Sequence, residues 1–358
     1  MKKKLLISAL VMSMICMLVG CSSGGGSSAQ PSSSAPAPSS SAAAPAGSDT
    51  PAEPGVDAKT FKVNLTVGAS DPQYAWWQDF FGRIEQAAEG TVKFELYTEQ
   101  SLGTNDEITE AIAGGAEFIG IPDYAGLVDY NPDASIFHVP YLIQEPGQIY
   151  ELWQSDIGKN IDSKLDDNGV HVFSVIYFGT RNVISKPEIK EPADFGSVKL
   201  RVGTSKMWNF TAECLGANAT NTAWSEVYQA LTQGVADACE SPSTLLYSNK
   251  IFEVCKNLVK TEHLVCNSAV IMSSQVFNSL PEAAQKAFTT VGQEFARETV
   301  QLTSDIAGEY DQKLRDEGVT IVEIDKTPFI EYSANNVEAA FPEWTEGLYR
   351  QAHDFLYN

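Results

Sequence analysis

Val63-Asn64-Leu65-Thr66-Val67-Gly68-Ala69-Ser70-Asp71-Pro72 has strand periodicity that ends in a turn-rich junction. A helical pattern follows over 73–88, with Phe80, Ile84 and Ala87 or Ala88 on one face and Gly90 as its stop. Val92 to Thr98 returns to strand. Thr104-Asn105-Asp106-Glu107 is a capping box opening a helix that Gly114-Gly115 ends, and Ala116 to Ile121 reads as a third, buried strand. The alternation predicts an α/β fold with a mostly parallel sheet and helices on its faces. Ligands meet such sheets beyond the carboxyl ends of the strands, which singles out Ser70, Asp71, Pro122 and Asp123.

A second set of elements begins at His171 to Phe178, with Val183 to Ser185 and Lys199 to Val202 as further strands. Thr204 or Ser205 caps a helix to about Leu215, another runs from about Ser225 to Gly234, and Val235 to Cys239 is a short strand. Ser241-Pro242 supplies an N-cap and a first-turn proline. Pro281 to Gly318 carries the longest helical signal, on the order of 50 Å at 1.5 Å per residue, with Gly292 and Gly308 as bend points. The roughly 300 residues after the N-terminal region suffice for two lobes.

Lys2, Lys3 and Lys4 precede an apolar run from Leu5 to Val19, the length of a signal-peptide core and too short for a comfortable membrane span. Leu18-Val19-Gly20-Cys21 resembles the bacterial lipobox, which implies cleavage before Cys21 and lipid on its thiol. Residues 1–20 are then a lipoprotein signal peptide. Residues 21–58, nearly all Ser, Ala, Pro and Gly, read as a flexible tether reaching about 30 to 35 Å. The formal charge of −22 makes nucleic acid an improbable partner and leaves room for a local positive pocket. Cys214, Cys239, Cys255 and Cys266 show no Cys-x-x-Cys pairing, so either one or two disulfides or buried free thiols fit, and no metal site is expected.

Arg201 sits in Lys199-Leu200-Arg201-Val202, and Arg181 follows Gly179-Thr180. Burying a guanidinium is costly unless an anion meets it, and its planar fork suits a carboxylate. A structural ion pair with one of the chain's many acids is the alternative for each. Two arginines after two strands of one lobe can also converge on one anion. His138, His171, His263 and His353 are scattered, and the cluster Gly24 to Gly26 lies in the tether, so neither a catalytic centre nor a cofactor loop is expected.

Gly179-Thr180-Arg181, Lys199-Leu200-Arg201-Val202, Trp224-Ser225-Glu226-Val227-Tyr228-x-Ala230-Leu231 and Asp237-x-x-Glu240-Ser241-Pro242, in this order, resemble the DctP-type solute receptors of TRAP (tripartite ATP-independent periplasmic) transporters. The likeness extends to Phe137-His138-Val139-Pro140-Tyr141-Leu142 and Thr261-Glu262-His263. It implies a two-lobed periplasmic-binding-protein-like fold, a cleft between lobes and a long helix spanning both. It also implies a monomeric, non-enzymatic, extracytoplasmic receptor that hands a small organic acid to TRAP membrane subunits. The lobes are placed at 59–178 with 267–306 and at 179–266 with 307–358.

By the same resemblance Arg201 is the main carboxylate clamp, Arg181 a second contact, Trp224 a pocket wall, Ser70 a first-lobe contact and Thr204 a residue just past the clamp. Ser241 stands where many relatives have Asn, so it either touches ligand or only caps a helix. Asp123 either accepts from a ligand hydroxyl or amine or is a loop acid. One of Trp76 and Trp77 can face the cleft, and Tyr74 and Tyr247 are weaker candidates. A receptor for an ABC importer shares the anchor, tether and two-lobed shape and is the competing reading.

Overall fold

The computed structural model describes residues 58–358, so the signal-peptide, tether and Cys21 expectations fall outside the described residues. The chain opens with β1 (Lys59–Asn64), α1 (Gln73–Ala87), β2 (Val92–Tyr97), α2 (Asn105–Ala113) and β3 (Phe118–Ile119). These form a parallel sheet of order β2-β1-β3. The Thr104 capping box is present: its hydroxyl accepts from the Glu107 amide while the Glu107 carboxylate accepts from the Thr104 amide. β3 is shorter than its apolar run suggested, because beyond Ile119 the chain is held by single bridges, Gly120 to Ile271 and Asp123 to Ser268.

Helices α3 (Gly147–Gln154) and α4 (Asp156–Asp167) lead into β4 (Val170–Ser185). β4 is one strand of 16 residues where the sequence suggested two, His171–Phe178 and Val183–Ser185. Gly179, which separated them, is accommodated within the strand at φ 119°, where its missing Cβ makes room for Pro242. Then come β5 (Lys199–Val202), α5 (Lys206–Cys214), β6 (Asn218–Asn221), α6 (Val227–Thr232), β7 (Ala238–Ser241), α7 (Ser243–Ser248) and β8 (Asn257–Ser273). The chain closes with α8 (Ser274–Ser279), α9 (Glu282–Asp316), β9 (Thr320–Glu323), α10 (Thr327–Ala340) and α11 (Leu348–Tyr357).

The second sheet has the order β6-β5-β7-β4-β8-β9 and is mixed rather than mostly parallel: β4 runs antiparallel to β7 and β8. The long β4 and β8 pair along most of their length, and the bridges from Gly120 and Asp123 to β8 tie the first sheet to the same ladder. Register shifts at Tyr177/Gly179 and Arg181/Val183 break this ladder where the two sheets meet.

α9 spans 35 residues, as its periodicity indicated. Its N-terminal half packs Phe288 and Phe295 with Phe61 and Phe80 under the first sheet, and Leu314 near its end joins a core under the second. Between them, Thr299 Oγ1 accepts from the Tyr177 amide at 3.1 Å and Thr303 Oγ1 donates to the Tyr177 carbonyl at 3.0 Å. These bonds satisfy backbone groups beside the Tyr177 register shift, which a buried strand cannot leave unpaired cheaply. α11 reaches back to join Leu348 and Ala352 to a core with Leu152 of α3. All four described cysteines are buried free thiols, and no described helix is long and apolar enough to cross a membrane.

Candidate functional site

On β5, Leu200 and Val202 point into an apolar core, so Arg201 between them faces the other way. It is 4% exposed. Its Nε donates to Thr222 Oγ1 at 3.2 Å and Nη2 to the Thr222 carbonyl, while Nη1 donates to no described protein atom. The guanidinium lies 5.5 Å from the Trp224 ring centre, a cation–π distance. Burial lowers its pKa, Arg181 adding to the effect and Glu240 opposing it. Among the described residues no carboxylate stands within ion-pair distance, so a nearly buried positive charge is held by neutral groups alone.

Arg181 takes the opposite course. β4 and β7 pair Val183 with Glu240, and across this register the Glu240 carboxylate meets the Arg181 guanidinium. Nε donates to Oε2, Nη2 donates to Oε1 at 2.9 Å and to the Glu240 carbonyl at 3.0 Å, and Nη1 reaches Cys266 Sγ at 3.3 Å. Burial pushes the Glu240 pKa up, but the charge and hydrogen bonds of Arg181, with the His263 imidazole 3.5 Å away, outweigh it and hold the carboxyl at about 2. Arg181 also lies 4.8 Å from the Trp208 ring centre. Both arginines line one cavity, yet the charge of Arg181 is already met and that of Arg201 is not.

The cavity lies between the sheets and is partly open to solvent. The first-sheet wall offers Thr66, Gln100, Asn105 and Asp123; the second offers Arg201, Trp208 and Trp224. Asp123 Oδ1 accepts from Ser268 Oγ at 3.1 Å. Trp224 Nε1 is a buried donor with no partner in the protein. A guanidinium without a counter-ion, a partnerless indole N–H and polar side chains on the facing wall suit an anion carrying further oxygen atoms.

Residues 63–343 match the family of bacterial extracellular solute-binding proteins, family 7, DctP. The chain belongs to the DctP family. A relative, the 2,3-diketo-L-gulonate-binding periplasmic protein YiaO of Escherichia coli, is 25% identical over 289 residues, covering 79% of this chain and 87% of the relative. A TRAP periplasmic solute-binding protein of Actinobacillus succinogenes, solved with bound L-galactonate, superposes with a TM-score of 0.80 at 28% identity, covering 83% of this chain and 99% of that one. A third, from Fusobacterium nucleatum with bound sn-glycerol-3-phosphate, gives 0.78 at 29% identity, covering 84% and 97%. These DctP-family structures share the two-lobed α/β fold.

Within this DctP-type cleft, Arg181, Arg201, Trp224 and Asp123 come together on the inner walls, and Thr204 and Ser70 lie further out. Ser241 does not cap a helix. It is the last residue of β7, wholly buried with its hydroxyl unpartnered, and Pro242 occupies the N-cap position of α7. Ser205 stands at the N-cap of α5, but its hydroxyl bonds to nothing. Trp77 is core, stacked on Phe81, and Trp76 and Tyr74 pack partly on the same cluster without lining the cavity. Tyr247 stacks on Phe252.

Sequence reasoning missed Gln100, which lines the cavity from a loop where both Glu99 and Gln100 take left-handed backbone, φ 55° and 54°. Such strain marks functional loops, but nothing in Glu-Gln announces it. Glu240 was placed just past a strand expected to end at Cys239, whereas it lies inside β7, and its partner, 59 residues away, had no local signal.

Proposed function

We propose that the chain is the extracytoplasmic receptor of a TRAP-type permease and captures a small hydroxylated carboxylate, a sugar acid, for uptake. The observation that carries this is the partnerless charge of Arg201. Within the cleft the Arg181–Glu240 pair is neutral, leaving the positive Arg201 on one wall and the acidic Asp123 on the other. The ligand's carboxylate belongs on Arg201, and Asp123 favours a hydroxyl and disfavours a second carboxylate. L-galactonate and 2,3-diketo-L-gulonate, named for two relatives, have that pattern. An ABC-importer receptor is the less favoured reading, since the family match and solved neighbours are DctP and TRAP proteins.

In this reading the lobes are 59–178 with 267–306 and 179–266 with 307–358, joined at the register shifts of β4 and β8, and they close on the ligand as a monomer. Lipid on Cys21 holds the tethered receptor at the membrane, in reach of the TRAP membrane subunits.

A thermal-shift screen over aldonates, keto acids, C4-dicarboxylates and sn-glycerol 3-phosphate identifies the ligand, because binding to the native state raises Tm. Greater stabilisation by dicarboxylates than by any sugar acid would reject the role given to Asp123. Titration calorimetry of Arg201→Ala is expected to show more than tenfold weaker binding, since a charge-assisted bond contributes about 1.5 to 3 kcal/mol. Unchanged affinity in a folded variant would overturn the assignment.

A further inference from the structure

Behind the cleft wall three side chains converge, two of which, His138 and Cys266, the solute-binding reading leaves without a task. Asp123 comes from the loop after β3, His138 from the turn before α3 and Cys266 from β8, and one donor atom from each lies within 4.8 Å of the other two. His138 is the telling member. Its side chain is wholly buried, Nε2 stands 3.9 Å from Asp123 Oδ1, and neither ring nitrogen has a hydrogen-bond partner. A buried imidazole left without any partner is costly, and its edge-to-face contact with Trp208, 5.6 Å between ring centres, fixes the ring without satisfying the nitrogens.

We propose that Asp123, His138 and Cys266 bind a borderline divalent metal ion, zinc or its like, with a fourth coordination position directed at the cleft. The donor set of one imidazole nitrogen, one thiolate and one carboxylate oxygen is that of zinc rather than of calcium or magnesium. In a tetrahedral site, metal–ligand bonds of about 2.0 to 2.3 Å place donors about 3.3 to 3.8 Å apart, so a contraction of no more than about 1.5 Å from the present spacing assembles it. Asp123 already lines the cavity, which puts the open position where a ligand oxygen can reach it.

Arg181 and Arg201 both place positive charge near a cation here, and Arg181 is the one in contact with a proposed ligand, Cys266. The charge of Arg181 is matched by Glu240, and its Nη1 donates to Cys266 Sγ at 3.3 Å; burial nonetheless pushes the Cys266 thiol up to about 12, so the metal itself has to displace the proton. Binding displaces the thiol proton of Cys266 to solvent. Sequence spacing gave no hint of the site, since 128 residues separate His138 from Cys266.

The test needs no organic ligand, so it stands or falls apart from the transport reading. The full chain, reduced, is titrated with Co2+ and then Zn2+. A thiolate-to-cobalt charge-transfer band saturating at one equivalent and abolished by Zn2+ is expected. In competition with a chromophoric chelator, Cys266→Ser should lose the band and weaken Zn2+ binding by at least about tenfold, because even loss of a ligand's supporting partner costs about that much. His138→Gln should weaken it similarly. The other cysteines remain in Cys266→Ser, so a band that survives there, or no band in the unaltered chain, overturns the proposal. Should Cys266→Ser not fold, Asp123→Asn decides: unchanged Zn2+ affinity in that variant also overturns it.

Discussion

Two arginines of the same chain, both nearly buried and lining one cavity, differ by a single neighbour. Arg181 has Glu240 in a two-point pair, whereas Arg201 has only Thr222 and the face of Trp224. Their variants should therefore fail in different ways. Arg201→Ala removes a charge whose proposed partner is the ligand, so binding is expected to fall while the fold stays. Glu240→Gln leaves Arg181 buried without a counter-charge, and breaking such a pair typically costs about 3 to 5 kcal/mol of stability. The pH dependence follows from the depressed pKa of Glu240, about 2 against an ordinary 4.5. Its contribution is fully present above the ordinary value and is lost as pH falls through the folded one. The stability gap between the unaltered chain and Glu240→Gln, from denaturant melts, should be widest near neutrality and close between about pH 4.5 and pH 2. A gap independent of pH over that window would mean that the pair is not what stabilises the fold.

At the scale of elements, β4 and α9 unite the two halves, and besides the Thr299 and Thr303 bonds to Tyr177 they touch backbone to backbone at one residue. A Cβ on Gly292 would overlap the Phe173 carbonyl, and the Gly292 carbonyl accepts from Ser174 Oγ at 2.7 Å, so helix and strand touch backbone to backbone. Gly308, on the same helix, has nothing within 4 Å of the corresponding position. Gly292→Ala is expected to destabilise by about 1 to 3 kcal/mol through overpacking. Gly308→Ala should be neutral or stabilise by about 0.5 to 1 kcal/mol through helix propensity. Equal melting temperatures for the two variants would contradict the contact. The length of α9, the Thr104 capping box and the parallel first sheet were legible in the sequence because each rests on local periodicity or spacing. The continuity of β4 was not, because Gly179 reads locally as a break, and only Pro242, distant in sequence, shows why it belongs inside the strand. Arg201 and Trp224 were legible as candidates from short local motifs, and both line the cavity, whereas the left-handed Gln100 and the N-cap role wrongly expected of Ser241 depended on backbone angles and register.

For the whole molecule, a formal charge of −22 sets the field through which an anionic solute must approach a single uncompensated guanidinium. The two act over different ranges. The surface acids repel through solvent, where the Debye length is about 10 Å at 0.1 M and about 3 Å at 1 M ionic strength, whereas the buried Arg201 contact is screened far less. Raising salt from about 0.05 to about 0.5 M should therefore relieve the repulsion and speed association, with little effect on dissociation. That sign is opposite to the usual one for charge-assisted binding, where attraction steers the partners together and salt slows them. Stopped-flow fluorescence can follow it, because Trp208 and Trp224 line the cavity and report on its occupant. The acid that stabilises the protein most in the thermal screen is the solute to use. An association rate that falls steadily as salt rises would mean that the local field of Arg201 reaches beyond the cleft mouth and dominates the acidic surface, and the capture step would then be steered rather than opposed.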